Sequence, residues 1–149
     1  MDSHVYDTLI LSDLHLGADM SRARDALRIL RQLRYRRLIL NGDIFADLNF
    51  ARLKKEHWKF LGYIRKLSNP KRKVEVVWVE GNHDHGLVQI MSHLVGIRAY
   101  QEHTWGIPRA AAYCNSRAPV RQLRSEQRSF QLSDWDIALF AIAEVGFQE

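Results

Sequence analysis

Three short apolar runs divide the N-terminal part of the chain, and each ends in a polar cluster. Residues 5–11 (VYDTLIL) lead into SDLHLG, residues 37–40 (RLIL) lead into NGD, and residues 74–79 (VEVVWV) lead into EGNHD. Short runs that are rich in valine, isoleucine and leucine favour buried strands over helices. We therefore predict three β-strands, each followed at its carboxyl end by polar side chains.

Two amphipathic segments lie between these runs, and both have the spacing of helices. Their apolar positions are Ala26, Leu27, Ile29, Leu30 and Leu33 in the first segment, and Leu53, Trp58, Leu61, Ile64 and Leu67 in the second. Alternating strands and helices imply right-handed crossovers and a mostly parallel α/β sheet with flanking helices. The polar clusters then meet at one edge of the sheet, where open α/β sheets place their sites.

The polar clusters contain residue types that hold divalent metals. Asp13 and His15 lie on the same side of an extended strand end, because successive residues alternate faces. Asp43 offers two carboxylate oxygens, which can bridge two ions. Asn82, His83 and Asp84 add an amide oxygen, an imidazole and a further carboxylate. Each aspartate or asparagine alone is more typical of a turn or a helix cap, but together at three strand ends they indicate a metal site.

These motifs, D-x-H at 13–15, G-D at 42–43 and G-N-H-D at 81–84, resemble the calcineurin-like metallophosphoesterase family over residues 5–104. Within that family, SDLHLG, NGDIF and GNHD look closest to the bacterial branch of UDP-2,3-diacylglucosamine pyrophosphohydrolases. The resemblance implies an α/β fold, here an incomplete calcineurin-like phosphoesterase sandwich of mostly parallel strands with flanking helices and a strand-end metal site.

The resemblance also implies a role for each motif residue. Two divalent ions (Mn, Fe, Zn or Co) are expected, with Asp13 and His15 on the first, Asp43 between them and Asn82 on the second. His83 would contact phosphoryl oxygens or protonate the leaving group, and Asp84 would orient the His83 ring. Two ions about 3.5–4 Å apart can clamp a phosphoryl group during in-line displacement.

Composition and charge narrow the classes of protein. A chain of 149 residues with 46% hydrophobic and 26% charged residues is typical of a globular domain. The single cysteine, Cys114, excludes an internal disulfide framework, and neither a signal-peptide pattern nor an apolar run of ~18 residues is present. We therefore expect a cytoplasmic protein without a transmembrane segment.

The net charge of +5 permits a phosphate-bearing partner. Arginines crowd the first predicted helix and its exit, at positions 22, 24, 28, 31, 34, 36 and 37. A solvated helix face is the favoured interpretation, and contact with an anionic substrate or lipid headgroups, which would make the protein membrane-peripheral, is the alternative. Nucleic acid is not favoured, because no aromatic residues interleave with these arginines.

Residues 106–149 follow a different pattern from residues 1–105, with neither strand alternation nor a sustained helical stripe. The family's later metal ligands, a histidine in H-G and a final G-H-x-H, are missing, and no histidine follows His103. When residues 106–149 are back-translated with free choice of synonymous third bases and the codons are read one base later, positions 114–123 can encode His-Gly-His-Gln-Phe-Asp. We therefore predict that 1–105 is the N-terminal part of a metallophosphoesterase domain and that a frameshift near Trp105 makes 106–149 an out-of-frame tail.

The sequence thus predicts a truncated metal-dependent phosphoesterase that hydrolyses a phosphodiester or a pyrophosphate, with weak or absent turnover. By resemblance, its substrate would be lipid-linked. A non-catalytic fragment that still binds metal or phosphate is an alternative from a different class. A product without a stable function is the third hypothesis.

Overall fold

A computed structural model of the chain describes residues 5–81, 83–84, 86–87, 90, 93–107, 110–115, 118–122 and 138–143, with side chains up to His103. The elements are β1 Val5–Ser12, α1 Ala23–Gln32, β2 Arg34–Asn41, α2 Lys55–Leu67, β3 Glu75–Val79, β4 Ala99–Tyr100, β5 Glu102–Ile107, β6 Ala110–Asn115, β7 Ala118–Gln122 and β8 Ala138–Ala143. The three predicted strands and both predicted helices are present, in the predicted order.

The main sheet has the strand order β4-β3-β2-β1-β8. β1 to β4 are parallel to one another, whereas β8 is antiparallel to β1. The register places Leu11, Leu40 and Trp78 side by side, and all three are buried. The mostly parallel α/β fold is therefore confirmed, and the carboxyl ends of β1, β2 and β3 lie at the same edge.

Both helices belong to the core that contains these three side chains. α1 buries Ala26 and Leu30, and α2 buries Phe60 and Ile64. Trp58, one of the apolar positions that predicted the second helix, is not buried on this face: its side chain is 54% exposed. The buried stripe of α2 passes through the preceding residue instead, because His57 lies on the same helical face as Phe60, Leu61 and Ile64. Among the described residues, no helix is long and apolar enough to cross a bilayer.

The opposite face of the sheet is also apolar. Ile10, Ile39 and Val77 are register neighbours on that face, and each is at most 3% exposed. Burial on both faces is typical of parallel strands and explains why their sequences are nearly continuous apolar runs rather than alternating ones.

The segment after residue 105 differs from the expectation that it lacks strands. β5, β6 and β7 form a separate antiparallel sheet, and β8 adds to the edge of the main sheet beside β1. The hydrophobic pattern did not predict β6, because Ala110–Asn115 begins with three alanines, which have little strand propensity. The out-of-frame origin of 106–149 is not tested by these strands and stays a prediction.

The start of α2 contains a buried histidine whose protonation opposes folding. His57 is 2% exposed, and its Nδ1 accepts a hydrogen bond from the Lys54 backbone N–H at 3.0 Å. Burial lowers the pKa of His57, with Lys54 adding to the effect and Glu56 opposing it. Below the ordinary histidine pKa of about 6.5 the unfolded chain takes up the proton first, so stability falls as the pH falls.

We expect His57→Gln to reduce this acid sensitivity, because a glutamine at the same position can accept the hydrogen bond at any pH. Between about pH 8 and about pH 5, the free energy of unfolding of the native chain should fall by about 1 kcal/mol more than that of the variant. Denaturant titrations at both pH values measure the difference. An equal loss in the two proteins would contradict this role of His57.

Candidate metal centre

Backbone hydrogen bonds hold the loops after β1, β2 and β3 together. The N–H of His15 donates to the carbonyl of Asp43 at 3.0 Å, and the N–H of Leu16 donates to the carbonyl of Ile44 at 2.7 Å. The N–H of Gly42 donates to the carbonyl of Val79 at 2.8 Å. The parallel sheet thus continues beyond the strand ends, and it fixes the polar clusters relative to one another.

Three of the predicted ligands converge at this edge. Ligand atoms of Asp13, His15 and Asp43 all lie within 4.8 Å of one another. Asp13 is exposed, whereas His15 and Asp43 are half-buried, so the cluster opens to solvent. Two carboxylates and one imidazole at this spacing are a donor set that fits Mn, Fe, Zn or Co.

The backbone at these three residues is strained. Asp13, His15 and Asp43 have φ angles of 58°, 46° and 49°, in the left-handed region that side chains disfavour. Among the described residues other than glycine, Lys73 alone shares this conformation, at 55°. Strained backbone of this kind costs about 1–3 kcal/mol per residue and is concentrated at functional sites. The chain therefore accepts a stability cost to hold these side chains together.

His83 lies beside the cluster. Its backbone N–H donates to Asp43 Oδ1 at 3.0 Å, and its ring packs edge-on against the His15 ring with 5.3 Å between centroids. The His83 side chain is exposed, so its ring can reach a molecule in solvent. Asn82, the predicted ligand of the second ion, lies outside the described residues. Its role and those of the other predicted site residues stay predictions.

Asp84 lies beneath the site and is fully buried. Its Oδ1 accepts the N–H of Gly81, and its Oδ2 accepts the N–H of Ile44 at 2.9 Å. Burial raises the pKa of the Asp84 carboxyl, while N–H groups of Gly81, Ile44 and Phe45 oppose that rise. Both oxygens thus bind backbone N–H groups, and they tie the loop after β2 to the loop after β3. The predicted orientation of the His83 ring by Asp84 stays a prediction.

Gly81 allows the two loops to approach this closely. A Cβ at position 81 would overlap the backbone nitrogen and Oδ1 of Asp43 and would lie 2.9 Å from the carbonyl carbon of Gly42. The backbone of the third motif therefore packs directly on the second. The spacing of G-D and G-N-H-D along the sequence gives no sign of this contact.

Sequence reasoning also missed Glu80. This carboxylate is 5% exposed, and its Oε1 accepts the N–H of Gly86 at 3.0 Å. Glu80 and Asp84 together brace both ends of the loop that contains His83. The available signal was a glutamate directly after the apolar residues 76–79, since an unsupported buried carboxylate is costly.

Substitutions at position 13 separate backbone strain from metal binding. We expect Asp13→Gly to be more stable than Asp13→Ala by about 1 kcal/mol, because glycine adopts φ 58° without penalty. Both variants should bind Mn²⁺ more weakly than the native chain. Thermal unfolding and calorimetric titration measure the two effects.

Lys73 provides the matched control, because its φ is similar and it follows the turn at Pro70–Arg72 rather than a motif. Lys73→Gly should likewise exceed Lys73→Ala in stability, with no change in Mn²⁺ affinity. The backbone at Asp13 would not be strained if Asp13→Gly and Asp13→Ala were equally stable while Lys73→Gly and Lys73→Ala differed.

Comparison with known proteins agrees with this geometry. The family model described as calcineurin-like phosphoesterase matches residues 6–135, a range that contains all three motifs and extends past Trp105. No individual curated protein matches the chain. The matched range covers most of the 149 residues, and the residues it contains form a parallel sheet with a metal-ligand cluster at its carboxyl edge. The chain therefore belongs to the calcineurin-like phosphoesterase family.

Proposed function

We propose that the strand-end cluster holds two divalent ions, Mn²⁺ being the first to test, and that the site hydrolyses a phosphodiester or pyrophosphate bond. The convergence of Asp13, His15 and Asp43 within 4.8 Å carries the proposal. Support comes from the family match and from the left-handed backbone of all three residues. The resemblance to UDP-2,3-diacylglucosamine pyrophosphohydrolases suggests a lipid-linked pyrophosphate as substrate.

Each residue has a distinct part in this proposal. Asp13, His15 and Asp43 would hold the first ion, and Asp43 with Asn82 would hold the second. His83, exposed beside His15, would bind a phosphoryl oxygen or donate a proton to the leaving oxygen. Asp84 would keep Asp43 and His83 at their present separation. Divalent ions, when bound, would neutralise phosphoryl charge and lower the pKa of water, so that a deprotonated nucleophile is available near neutral pH.

We further propose that turnover is weak because the ligand set is incomplete. No histidine follows His103, whereas the resemblance implies histidine ligands later in the chain. A frameshift near Trp105 would account for this, with 106–149 out of frame. Sequencing the coding DNA over codons 114–123 tests it: the shifted frame should encode His-Gly-His-Gln-Phe-Asp, and other synonymous bases would exclude it.

Hydrolysis of bis-p-nitrophenyl phosphate tests the proposed activity. With Mn²⁺ we expect slow release of p-nitrophenol, reduced at least about tenfold by Asp43→Ala and unchanged by Lys73→Ala. Rapid hydrolysis that depends on Asp43 would contradict the incomplete ligand set. A native chain that neither binds Mn²⁺ nor releases p-nitrophenol would contradict the metal centre itself.

A non-catalytic metal- or phosphate-binding chain is the second candidate. The observation that favours it is the same cluster of Asp13, His15 and Asp43, which can hold an ion without further histidines. Calorimetric Mn²⁺ binding that is lost in Asp43→Ala, with no hydrolysis in either protein, would favour this candidate over the enzyme.

A further inference from the structure

The outward side of α1 is a stripe of arginines. Arg24, Arg28 and Arg31 are exposed and lie at i, i+4 and i+7, so they share one face of the helix. The acidic residue of this helix, Asp25, is half-buried beside Arg22 and Arg28. Every charged side chain on the exposed stripe of α1 is therefore basic.

The outward side of α2 is also mostly basic and adds an aromatic ring. Lys55, Lys59, Arg65 and Lys66 are exposed at helical spacing, and Trp58 lies among them with 54% of its surface exposed. The acidic residue of α2, Glu56, is half-buried, and its charge is offset by Arg24 and Lys54. An exposed tryptophan flanked by lysines presents an apolar body within a field of positive charge. More than half of this ring is in contact with solvent, so packing of the core does not account for a tryptophan at this position.

The two stripes form one continuous surface, because α1 and α2 lie side by side. Tyr63 of α2 donates its hydroxyl hydrogen to the Leu30 carbonyl of α1 at 3.2 Å. The Arg31 guanidinium lies over the Tyr63 ring, 5.5 Å from its centroid. We call the exposed residues of both stripes the basic helix face.

The basic helix face begins at the edge of the sheet that holds the metal-ligand cluster. Both helices connect parallel strands, so each starts near the carboxyl ends of the strands. Lys54, at the start of α2, pairs with Asp19, just before α1, at 2.9 Å. Two further apolar side chains protrude from these loops, Met20 at 86% exposure and Leu48 at 50%.

We propose that the basic helix face docks the protein on an anionic phospholipid bilayer, with Trp58 at the lipid interface. Arginine and lysine side chains attract anionic headgroups, each contributing to membrane affinity, and tryptophan is favoured at the boundary between headgroups and acyl chains. The docked protein holds the open edge of its site next to the bilayer surface. This docking needs neither bound metal nor catalysis, so it is independent of the proposed function.

The chemistry of the face favours a bilayer over nucleic acid. Non-specific binding of single strands uses a basic groove with several aromatic rings for successive bases to stack on. The basic helix face instead has one exposed aromatic ring, on a surface made of two adjacent helices, and protruding apolar side chains at one end. Charge combined with apolar anchors is the pattern of interfacial membrane binding.

Sedimentation with vesicles tests the docking, using the full chain in EDTA so that no metal contributes. We expect binding to phosphatidylcholine vesicles that contain about one third phosphatidylglycerol and little binding to phosphatidylcholine alone. Raising NaCl from about 0.05 M to about 0.5 M should release the protein. Trp58 emission should shift to the blue on binding, a change missing in Trp58→Phe.

A pair of charge reversals distinguishes this face from general basicity. Lys55→Glu/Lys59→Glu should weaken vesicle binding at least about tenfold. Lys71→Glu/Arg72→Glu removes the same charge from the turn after α2 and should weaken it much less. Circular dichroism confirms that both variants fold. Equal losses in the two variants, or binding to DNA oligonucleotides but not to vesicles, would overturn the proposal.

Discussion

Gly81→Ala should disrupt the metal centre. Among alanine substitutions at the described glycines, we expect it to cause the largest loss of stability. The added Cβ would overlap the Asp43 backbone nitrogen and Oδ1, and neither the strand end nor the carboxylate can move without breaking the loop contacts. Overpacking usually costs about 1–3 kcal/mol, and contact with backbone puts this site at the upper end. We expect the midpoint of thermal unfolding to fall by about 10 °C and Mn²⁺ binding to be lost.

Gly62→Ala is the matched control for this substitution. Gly62 lies on the exposed side of α2, and a Cβ at this position would meet no heavy atom within 4 Å. Alanine there should stabilise the protein by about 0.5–1 kcal/mol and leave Mn²⁺ affinity unchanged. Differential scanning calorimetry of both variants measures the contrast. A Gly81→Ala protein as stable as Gly62→Ala would show that the loops do not pack as described.

Asp84→Asn should have the second-largest effect, because one oxygen replaces the two that now accept the N–H groups of Gly81 and Ile44. The amide nitrogen would face one of these donors, and a buried donor that loses its acceptor costs about 1–3 kcal/mol. The loops that hold Asp43 and His83 would then separate. We expect lower stability and weaker Mn²⁺ binding together, measured by denaturant titration and calorimetry.

Asp19→Asn makes the same chemical change on the surface. The Asp19 side chain is 90% exposed and pairs with Lys54, and exposed ion pairs contribute little to stability. We expect no resolvable change in stability or in Mn²⁺ affinity. If Asp84→Asn behaved like Asp19→Asn, Asp84 would not be the link between the loops.

Most of the fold follows from local pattern. β1, β2 and β3 were predictable because apolar runs stop at polar clusters, and the helices because apolar residues recur at helical spacing. Trp58 was assigned to the wrong face, since a large aromatic residue one position from a buried histidine fits the same approximate stripe. The edge strands β4 and β8 were not predictable, because a two-residue strand and an apolar tail take their pairing from distant partners.

The sequence could predict that three polar side chains meet at one edge of the sheet, but not how the loops that carry them are held together. Parallel strands bring their carboxyl ends together, so Asp13, His15 and Asp43 could be placed at one edge from the sequence. The left-handed backbone of these residues and the overlap at position 81 depend on how the loops cross, which motif spacing does not encode. For the same reason, the sequence could not show that Asp84 accepts hydrogen bonds from backbone N–H groups of both loops.

Calorimetric titration of Mn²⁺ into the native chain and Asp43→Ala is the most direct test of the metal centre. Asp43 is central because its Oδ1 accepts the His83 N–H and its carboxylate belongs to the three-residue cluster. We predict saturable binding by the native chain, binding weakened at least about tenfold in Asp43→Ala, and unchanged binding in Lys73→Gly. Equal Mn²⁺ affinity in the native chain and Asp43→Ala would contradict the metal centre.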